Sequence, residues 1–297
     1  MKARISEERR YFKFQDMQKA ESAMCITWNQ LRDDLCRGDF SYNDLLKAKE
    51  KTFLSVFDSL FIENKGAEIF EIKLTKVFKD YHVVRGSIIK HGEPTPDYNR
   101  LLPKSQFIKD DNRFSLKGVE WLYLALGIPK TPNGLANAKK CSEAECQAKS
   151  GENFACCSFN LKPEHDARII DLTVGNNWTY EKLQRDLERA ARRIVRKETE
   201  KYLKSFSKPS ALDFIPEFRK WLVYTYAKML SEHIFVPVET KNKSLMYAPF
   251  HCIAQYFLSL GYDGIIYKST VYDKGKNLVL FDKELVAPTG DIELYTI

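Results

Sequence analysis

Five polar residues whose side chains could take part in catalysis or binding follow one another in separate short motifs. They are Arg85 in "HVVRGS", Arg113 in "DNRFSLKG", Tyr123 in "WLYLA", Glu145 in "SEAEC" and Ser269 in "GIIYKS". Arginine binds phosphate through paired hydrogen bonds, a carboxylate stabilises positive charge that develops in a reaction, and a serine hydroxyl orients a neighbouring group. Taken singly, each residue is more often structural, so their order along the chain carries the functional hypothesis.

Several common catalytic classes leave no trace in the chain. The sequence has no G-x-G-x-x-G or P-loop glycine pattern, no G-x-S-x-G and no H-E-x-x-H. Its five histidines are scattered, and His82 and His251 are typical of partly buried structural histidines. The closest group of cysteines is Cys141, Cys146, Cys156 and Cys157, which lacks a C-x-x-C pair and a paired histidine. We therefore expect free thiols, no metal site and no bound cofactor.

Longer motifs around the five residues resemble those of the RES family, named for its arginine, glutamate and serine. The segment "NRFSLKGVEWLYLA" is similar to the family pattern "GRFNxxGxxxLYLA", and "CSEAE" is similar to "TAxxE". The segment "GYDGIIYKSTVYDKGKNLVLF" is similar to "GxDGIxYxSxxxxGxNxxLF", with one additional residue between the serine and the following glycine, and "DLT" at 171–173 matches a further motif. The resemblance covers residues 80 to 297, interrupted by an additional helical block.

This resemblance implies an α+β fold of the ADP-ribosyltransferase type and an enzyme that cleaves the nicotinamide–ribose bond of NAD⁺. Such an enzyme is an NAD⁺ phosphorylase or an NAD⁺ glycohydrolase, with NAD⁺ as substrate and inorganic phosphate as co-substrate in the first case. The family is commonly the toxin of a toxin–antitoxin pair, which implies an Xre-type helix-turn-helix antitoxin protein as partner. Phosphorolysis, hydrolysis and ADP-ribose transfer all stay open, as does homodimer formation.

The resemblance also implies a role for each residue. Arg85, Tyr123, Glu145 and Ser269 would be catalytic and converge on one cleft, with the carboxylate of Glu145 stabilising the ribose cation. Glu143 remains the alternative carboxylate because it lies two residues away. Substrate binding would fall to two further residues, Arg113 for phosphate and Tyr267, which shares a predicted strand with Ser269.

The chain departs from the family pattern at several positions. Asn112 replaces the family's glycine before the second arginine, and Ser115 replaces its asparagine. An expanded loop is predicted over 127–140, between Tyr123 and Glu145. His251 stands near the family's glutamine, and "IAQ" at 253–255 replaces the more usual "IAE".

Hydrophobic periodicity predicts two domains. Apolar residues at helical spacing favour a small all-α domain over 1–78. Strands predicted over 81–88, 119–126, 154–161, 167–173 and 265–281 place the RES-like domain at 79–297. A helical insertion is predicted over about 178–245. Gly261 is expected to end a helix, and Asp263-Gly264 to form a turn.

Composition favours a cytoplasmic protein and leaves one rival function open. The chain is 44% hydrophobic, and no stretch suits a membrane helix or a signal peptide. The net charge of +7 is concentrated at 180–207, which suggests nucleic-acid binding as the alternative. Five acidic residues interleave with the basic ones there and an apolar stripe lies opposite, so a solvated helix face is preferred. An inactive NAD-binding interaction module is the third possibility.

Overall fold

The computed structural model describes residues 14–63, 66–127, 131–162, 166–205, 215–234 and 243–297. Within those ranges the α-helices are α1 (Phe14–Arg37), α2 (Leu45–Glu50), α3 (Thr52–Asp58), α4 (Ala67–Phe70), α5 (Leu74–Asp80), α6 (Tyr98–Leu101), α7 (Pro132–Glu145), α8 (Tyr180–Ser205), α9 (Ile215–Met229) and α10 (Lys243–Ser259). The strands are β1 (Glu71–Lys73), β2 (His82–Ile89), β3 (Leu122–Gly127), β4 (Asn153–Leu161), β5 (Arg168–Asp171), β6 (Gly264–Lys268), β7 (Lys276–Leu280) and β8 (Val286–Thr296).

The strands form one sheet of eight in the order β1-β5-β6-β7-β3-β2-β4-β8. Every neighbouring pair is antiparallel except β5 and β6, which are parallel. The α+β class is therefore confirmed. The sequence patterns predicted the six inner strands, two of them in the hairpin over 265–281, but not the two edges, β1 and β8.

Strand register defines which residues share a face of the sheet. Tyr267 of β6 lies opposite Asn277 of β7. Asn277 in turn lies opposite Ala125 of β3, and Ala125 lies opposite Val84 of β2. Residues paired in this way project from the same side of a sheet. Helix α7 covers this side, because its Ala138 and Cys141 pack in one hydrophobic cluster with Val84 and Ala125. We call this side the α7 face.

Helix α7 replaces most of the loop predicted over 127–140. The Thr131 side chain accepts a hydrogen bond from the Gly134 N–H at 3.1 Å, and proline follows as the first helical residue. Proline suits that position because the first N–H groups of a helix have no intrahelical partner. The loop prediction was wrong because Thr-Pro here begins a helix; residues 128–130 lie outside the described residues.

The N-terminal helices pack against the sheet domain through aromatic side chains. Trp28 of α1 contacts Phe53 of α3 at a ring-centroid distance of 5.0 Å and Phe250 of α10 at 4.9 Å. Phe61 contacts Phe257 of α10 with tilted rings at a centroid distance of 5.5 Å. Buried residues from Met24 to Phe70 thus share one hydrophobic core with the C-terminal part of the chain. The division into two domains at residue 78 stays a prediction. Residues 1–13 of the predicted all-α domain lie outside the described residues.

Helices α8 and α9 lie in the predicted insertion. The apolar stripe on α8 is confirmed, since Leu183, Leu187 and Ala190 are buried, the first two against Trp221 of α9. The opposite side of α8 carries ion pairs at helical spacing, including Arg196–Glu200 at 2.9 Å and Arg189–Asp186 at 3.4 Å. The parts of the insertion at 206–214 and 235–242 lie outside the described residues.

Across the ranges described, no helix is both long enough and apolar enough to cross a membrane.

Candidate active site

Glu145, the last residue of α7, is held by two donors from the hairpin of β6 and β7. Its Oε1 atom accepts a hydrogen bond from Ser269 Oγ at 2.7 Å and another from Asn277 Nδ2 at 2.5 Å. Glu145 itself is exposed, whereas Ser269 is 2% and Asn277 4% exposed. The arrangement presents one carboxylate to solvent on a rigid, buried base.

Ser269 follows directly after β6 and organises the turn that leads to β7. Its hydroxyl oxygen accepts hydrogen bonds from the main-chain N–H groups of Val271 at 3.3 Å and Tyr272 at 3.0 Å while its proton goes to Glu145. A hydroxyl can donate once and accept twice, so this one is fully used. Ser269 therefore connects the conformation of the turn to the position of the carboxylate.

One stripe of α7 contacts this turn at three successive levels. Asn137 accepts a hydrogen bond from Tyr272 Oη at 2.8 Å, and Cys141 Sγ donates to Asn277 Oδ1 at 3.5 Å. Residues 137, 141 and 145 are four apart and so lie on one side of the helix. Burial, and secondarily the Glu145 charge, raises the pKa of the Cys141 thiol to about 12, which keeps it protonated as a donor.

Glu143, the alternative carboxylate, has a different environment. Its Oε1 accepts a hydrogen bond from Tyr295 Oη of β8 at 2.6 Å. Burial raises the pKa of Tyr295, and the hydrogen bond to Glu143 raises it further. The two glutamates are therefore tied to different strands, and Glu145 is the one joined to Ser269.

Glu145, Ser269 and Asn277 form what we call the Glu145 group. Arg113 is a buried cation next to this group. It is 9% exposed, its Nη2 donates to Thr270 Oγ1 at 2.9 Å, and its guanidinium lies 5.4 Å from the ring centroid of Phe250. Its Nη1 is buried without a hydrogen-bond partner among the residues that the structure describes. A buried N–H of a charged group that lacks an acceptor costs free energy, and an anionic ligand would satisfy it.

Tyr123 and Tyr267 are the two tyrosines among the predicted site residues. Tyr123 Oη accepts from the Phe114 N–H at 3.3 Å and is 3.0 Å from Ser115 Oγ, and burial raises its pKa. Burial also raises the pKa of Tyr267 well above its usual value; the charges of Glu145 and Tyr123 add to this, and Arg113 opposes it. Glu145, Tyr123 and Arg113 therefore each lie within electrostatic reach of the Tyr267 phenol.

Tyr267 is a core residue at this site. It is 5% exposed and contacts Phe114 edge-on at a ring-centroid distance of 4.9 Å. Only a small part of the Tyr267 ring is therefore accessible for the predicted contact with the substrate.

His251 of α10 supports the segment before Arg113. Its ring is buried, and Nε2 lies 2.9 Å from the carbonyl oxygen of Asn112, which can only accept, so Nε2 carries the proton. Burial lowers the pKa of His251. The departures from the family pattern at these two positions are thus in contact with each other.

Arg85 is the predicted site residue that the described contacts do not bring into this group. Pairing between β2 and β3 ends at Val84–Ala125, and just beyond it Arg85 Nη1 donates to the Tyr123 carbonyl oxygen at 2.9 Å. Side chains alternate between the two faces along a strand, so Arg85 of β2 points away from the α7 face. Its partner on the neighbouring strand β4 is Cys157. Burial lowers the pKa of its guanidinium. Arg85 therefore borders the group through the main chain of Tyr123.

The cysteines are free thiols that do not converge on one point. Cys156 packs on the α7 face and Cys157 in the cluster on the other face, while Cys146 Sγ donates to the Gly86 carbonyl oxygen at 3.5 Å. In the described part of the chain, no three or more His, Cys, Asp or Glu residues are grouped so that they could hold a metal ion.

Three grooves with volumes from 340 to 560 Å³ are lined by residues outside the Glu145 group. The largest lies between α8 and α9 and combines aromatic residues, among them Trp178 and Trp221, with basic residues such as Arg193. The Glu145 group instead lies at the surface, where its carboxylate is directly accessible.

Sequence reasoning missed Asn277 and Thr270 as members of the site. Asn277 was visible as the asparagine of the G-x-N motif, where a polar residue precedes the apolar run "LVLF". Thr270 carried no such signal, because a threonine after a strand is ordinary turn composition.

Comparisons of the chain with known proteins found no similar protein. No family model matches the chain, and searches of curated proteins and of solved structures found no match. The resemblance to the RES family therefore stays a prediction from the motifs, and function must be argued from the site itself.

Proposed function

We propose that this protein is a RES-like enzyme that cleaves the nicotinamide–ribose bond of NAD⁺, by phosphorolysis or hydrolysis. The observation that carries the proposal is the 2.7 Å hydrogen bond from Ser269 to Glu145, which are 124 positions apart. Both residues were selected from separate motifs, and a hydrogen bond between them is what a shared site requires. An ADP-ribosyltransferase-like fold with a helical insertion is part of the same proposal.

Glu145 would act on the bond that breaks. As the carbon–nitrogen bond opens, nicotinamide leaves with the electron pair and the ribose ring becomes an oxocarbenium ion. The exposed carboxylate stabilises that positive charge, and an oxygen of phosphate or of water then bonds to the same carbon; in hydrolysis the bound water releases one proton to solvent. Because nicotinamide leaves without needing a proton, one carboxylate is sufficient.

Arg113 would bind an anionic part of the substrate. Its unpartnered Nη1 suits a phosphate oxygen, either of the NAD⁺ pyrophosphate or of an attacking phosphate. Tyr123 and Tyr267 would form the wall between this cation and Glu145. Arg85, at the border, would stabilise the end of β3 and add positive potential.

Product analysis tests the proposal directly. Purified full-length chain is incubated with NAD⁺ with and without inorganic phosphate, and the products are separated and identified. We expect release of nicotinamide, together with ADP-ribose for hydrolysis or a phosphorylated ADP-ribose for phosphorolysis. Intact NAD⁺ under both conditions, with protein shown to be folded, would refute the proposal.

The nucleic-acid alternative has a specific location, the groove between α8 and α9. Several basic residues there are already paired with acids of the same helix, such as Arg192 with Glu188 at 3.9 Å. Substituting Arg189, Arg192 and Arg193 by Gln should therefore leave NAD⁺ turnover largely unchanged. Tight, steeply salt-dependent binding of nucleic acid that this triple substitution abolishes would favour the alternative.

The biological setting implied by the family remains part of the proposal. In this setting the protein is a cytoplasmic toxin, and an Xre-type helix-turn-helix antitoxin protein is its inhibitor. Whether the toxin forms a homodimer stays open. Co-expression with a candidate antitoxin should restore growth that is lost when this chain is expressed alone.

A further inference from the structure

Asn277 is a buried amide whose orientation is fixed by its neighbours. Its Oδ1 accepts a hydrogen bond from the thiol of Cys141 at 3.5 Å, and its Nδ2 donates to Glu145 Oε1 at 2.5 Å. The reverse orientation would place the amide oxygen against the carboxylate and its NH₂ group against the thiol hydrogen. The protonated Cys141 thiol and the Glu145 carboxylate thus require the same orientation of the amide.

The two donors to Glu145 address the same oxygen atom. Ser269 and Asn277 both bind Oε1, and within the part of the chain that the structure describes no hydrogen bond reaches Oε2. One hydrogen bond would still let a carboxylate swing about its donor. Two donors, one from the residue after β6 and one from β7, hold Oε1 in place and leave Oε2 without a hydrogen bond from the hairpin.

We propose that Asn277 is a second positioning residue, which with Ser269 holds Oε1 so that Oε2 is the oxygen that meets the substrate. This inference rests on the proposed function for its chemistry, since the substrate that Oε2 would meet is the ribose of NAD⁺. Asn277 acts only through Glu145 and does not touch the reacting atoms.

Close packing of the hairpin on α7 makes this arrangement possible. Gly275 lies so near α7 that a Cβ atom there would stand 2.3 Å from Cys141 Sγ and 2.9 Å from its Cβ. Any larger residue would push the turn outward and lengthen the bond from Asn277 to the carboxylate. Glycine at 275 and a small thiol at 141 together set the distance at which the amide operates.

Two substitutions of Asn277 test its positioning role. Asn277→Ala removes the donor, so kcat for nicotinamide release should fall by about tenfold or more, while KM changes by less than about threefold. Asn277→Asp places a second carboxylate beside Glu145 and should move the acidic limb of the pH–rate profile upward by about one pH unit or more. Asn160, an exposed residue of β4 with a 3.5 Å bond to Thr289, is the matched control.

The control variants Asn160→Ala and Asn160→Asp should keep the wild-type kcat and pH profile. A purely structural role for Asn277 would lower the stability of Asn277→Ala and leave the kcat of its folded fraction at the wild-type value. Wild-type kcat and an unmoved profile in both Asn277 variants of an active enzyme would overturn the inference.

A stability cycle separates this inference from the proposed function. Unfolding free energies are measured in urea for wild type, Asn277→Ala, Glu145→Ala and the double variant. If Asn277 holds Glu145, its substitution should cost at most half as much when Glu145 is already alanine. Additive losses would overturn the inference whether or not NAD⁺ is cleaved. Coupling in a protein that releases no nicotinamide would reject only the proposed reaction and retain Asn277 as the residue that holds Glu145.

Discussion

Two glutamates that lie two positions apart on α7 offer the sharpest test of the site. Replacing either by glutamine removes a charge but keeps a carbonyl oxygen that can accept the existing hydrogen bonds. For Glu145 those bonds come from Ser269 and Asn277, and for Glu143 the bond comes from Tyr295. The substitutions are therefore matched in chemistry and differ only in the surroundings of the carboxylate.

The expected effect on stability is small for both variants. Two charge-assisted hydrogen bonds become neutral ones in Glu145→Gln, which costs about 1–2 kcal/mol, and one does so in Glu143→Gln, which costs about half of that. For a chain of this length, unfolding entropy converts these losses into a decrease in melting temperature of roughly 1–4 °C. Both variants should thus be fully folded at 25 °C.

The expected effect on activity is large for one variant only. Loss of a preorganised charge at a developing cation costs about 3–4 kcal/mol, so Glu145→Gln should release nicotinamide about 100- to 1,000-fold more slowly. Glu143→Gln should stay within about threefold of wild type, because its partner is a tyrosine of the edge strand. Initial rates of nicotinamide release and urea unfolding curves are measured on the same preparations.

The opposite pattern would refute the assignment. An inactive Glu143→Gln beside an active Glu145→Gln would move the working carboxylate by two residues and return the hairpin to a purely architectural role. If activity were lost only in proportion to loss of folded protein, neither glutamate would be catalytic.

Three further predictions concern the support of the site. Ser269→Ala should lower the free energy of unfolding by about 1–3 kcal/mol, measured in urea, because two main-chain N–H groups lose their acceptor, and a cost near zero would contradict the geometry. The pKa of His251 is lowered by burial, so its contribution to stability is present above pH 6.5 and is lost as pH falls. His251→Gln keeps an N–H donor for Asn112, so unfolding measured between pH 7 and pH 5 should depend less on pH than in wild type, by up to about 1.4 kcal/mol per pH unit; equal slopes would reject this. Gly275→Ala should lower the melting temperature, and adding Cys141→Ala should recover part of the loss by removing the sulfur atom that clashes; no recovery would mean that the other close atoms, Cys141 Cβ and Tyr272 Cδ1, cause the loss.

The hairpin shows both what local sequence determines and where it is ambiguous. Gly261 was predicted to end a helix, and it follows α10 with a φ of +78°, a conformation that glycine adopts without strain. The predicted Asp263-Gly264 turn was wrong. Gly264 is the first residue of β6, and a Cβ atom there would stand 2.3 Å from the carbonyl oxygen of Val279. Glycine is required there by a close approach of β7, which lies elsewhere in sequence and leaves no local signal.

The candidate site likewise has features that the sequence predicts and features that it does not. The motifs named Glu145 and Ser269 among the candidate site residues, with Glu143 as the alternative carboxylate, and the structure joins Glu145 to Ser269 by a hydrogen bond. The surroundings of Arg85 could not be derived from sequence, since they depend on where the pairing of β2 with β3 ends. The start of α7 was hidden by Pro132 and Asn133, which are typical of loops as well as of first helical turns.

The wide separation of Glu145 from its donors also has a consequence for protein synthesis. Asn277 lies 132 positions after Glu145, and the N-terminal helices share a core with α10, so the native topology is dominated by contacts that are distant along the chain. Closing such long loops is entropically costly and makes folding slow. A nascent chain that ends before β6 carries the carboxylate but neither donor. If the proposed activity is correct, the cell would therefore meet an NAD⁺-cleaving species only after the last third of the polypeptide has been translated and docked.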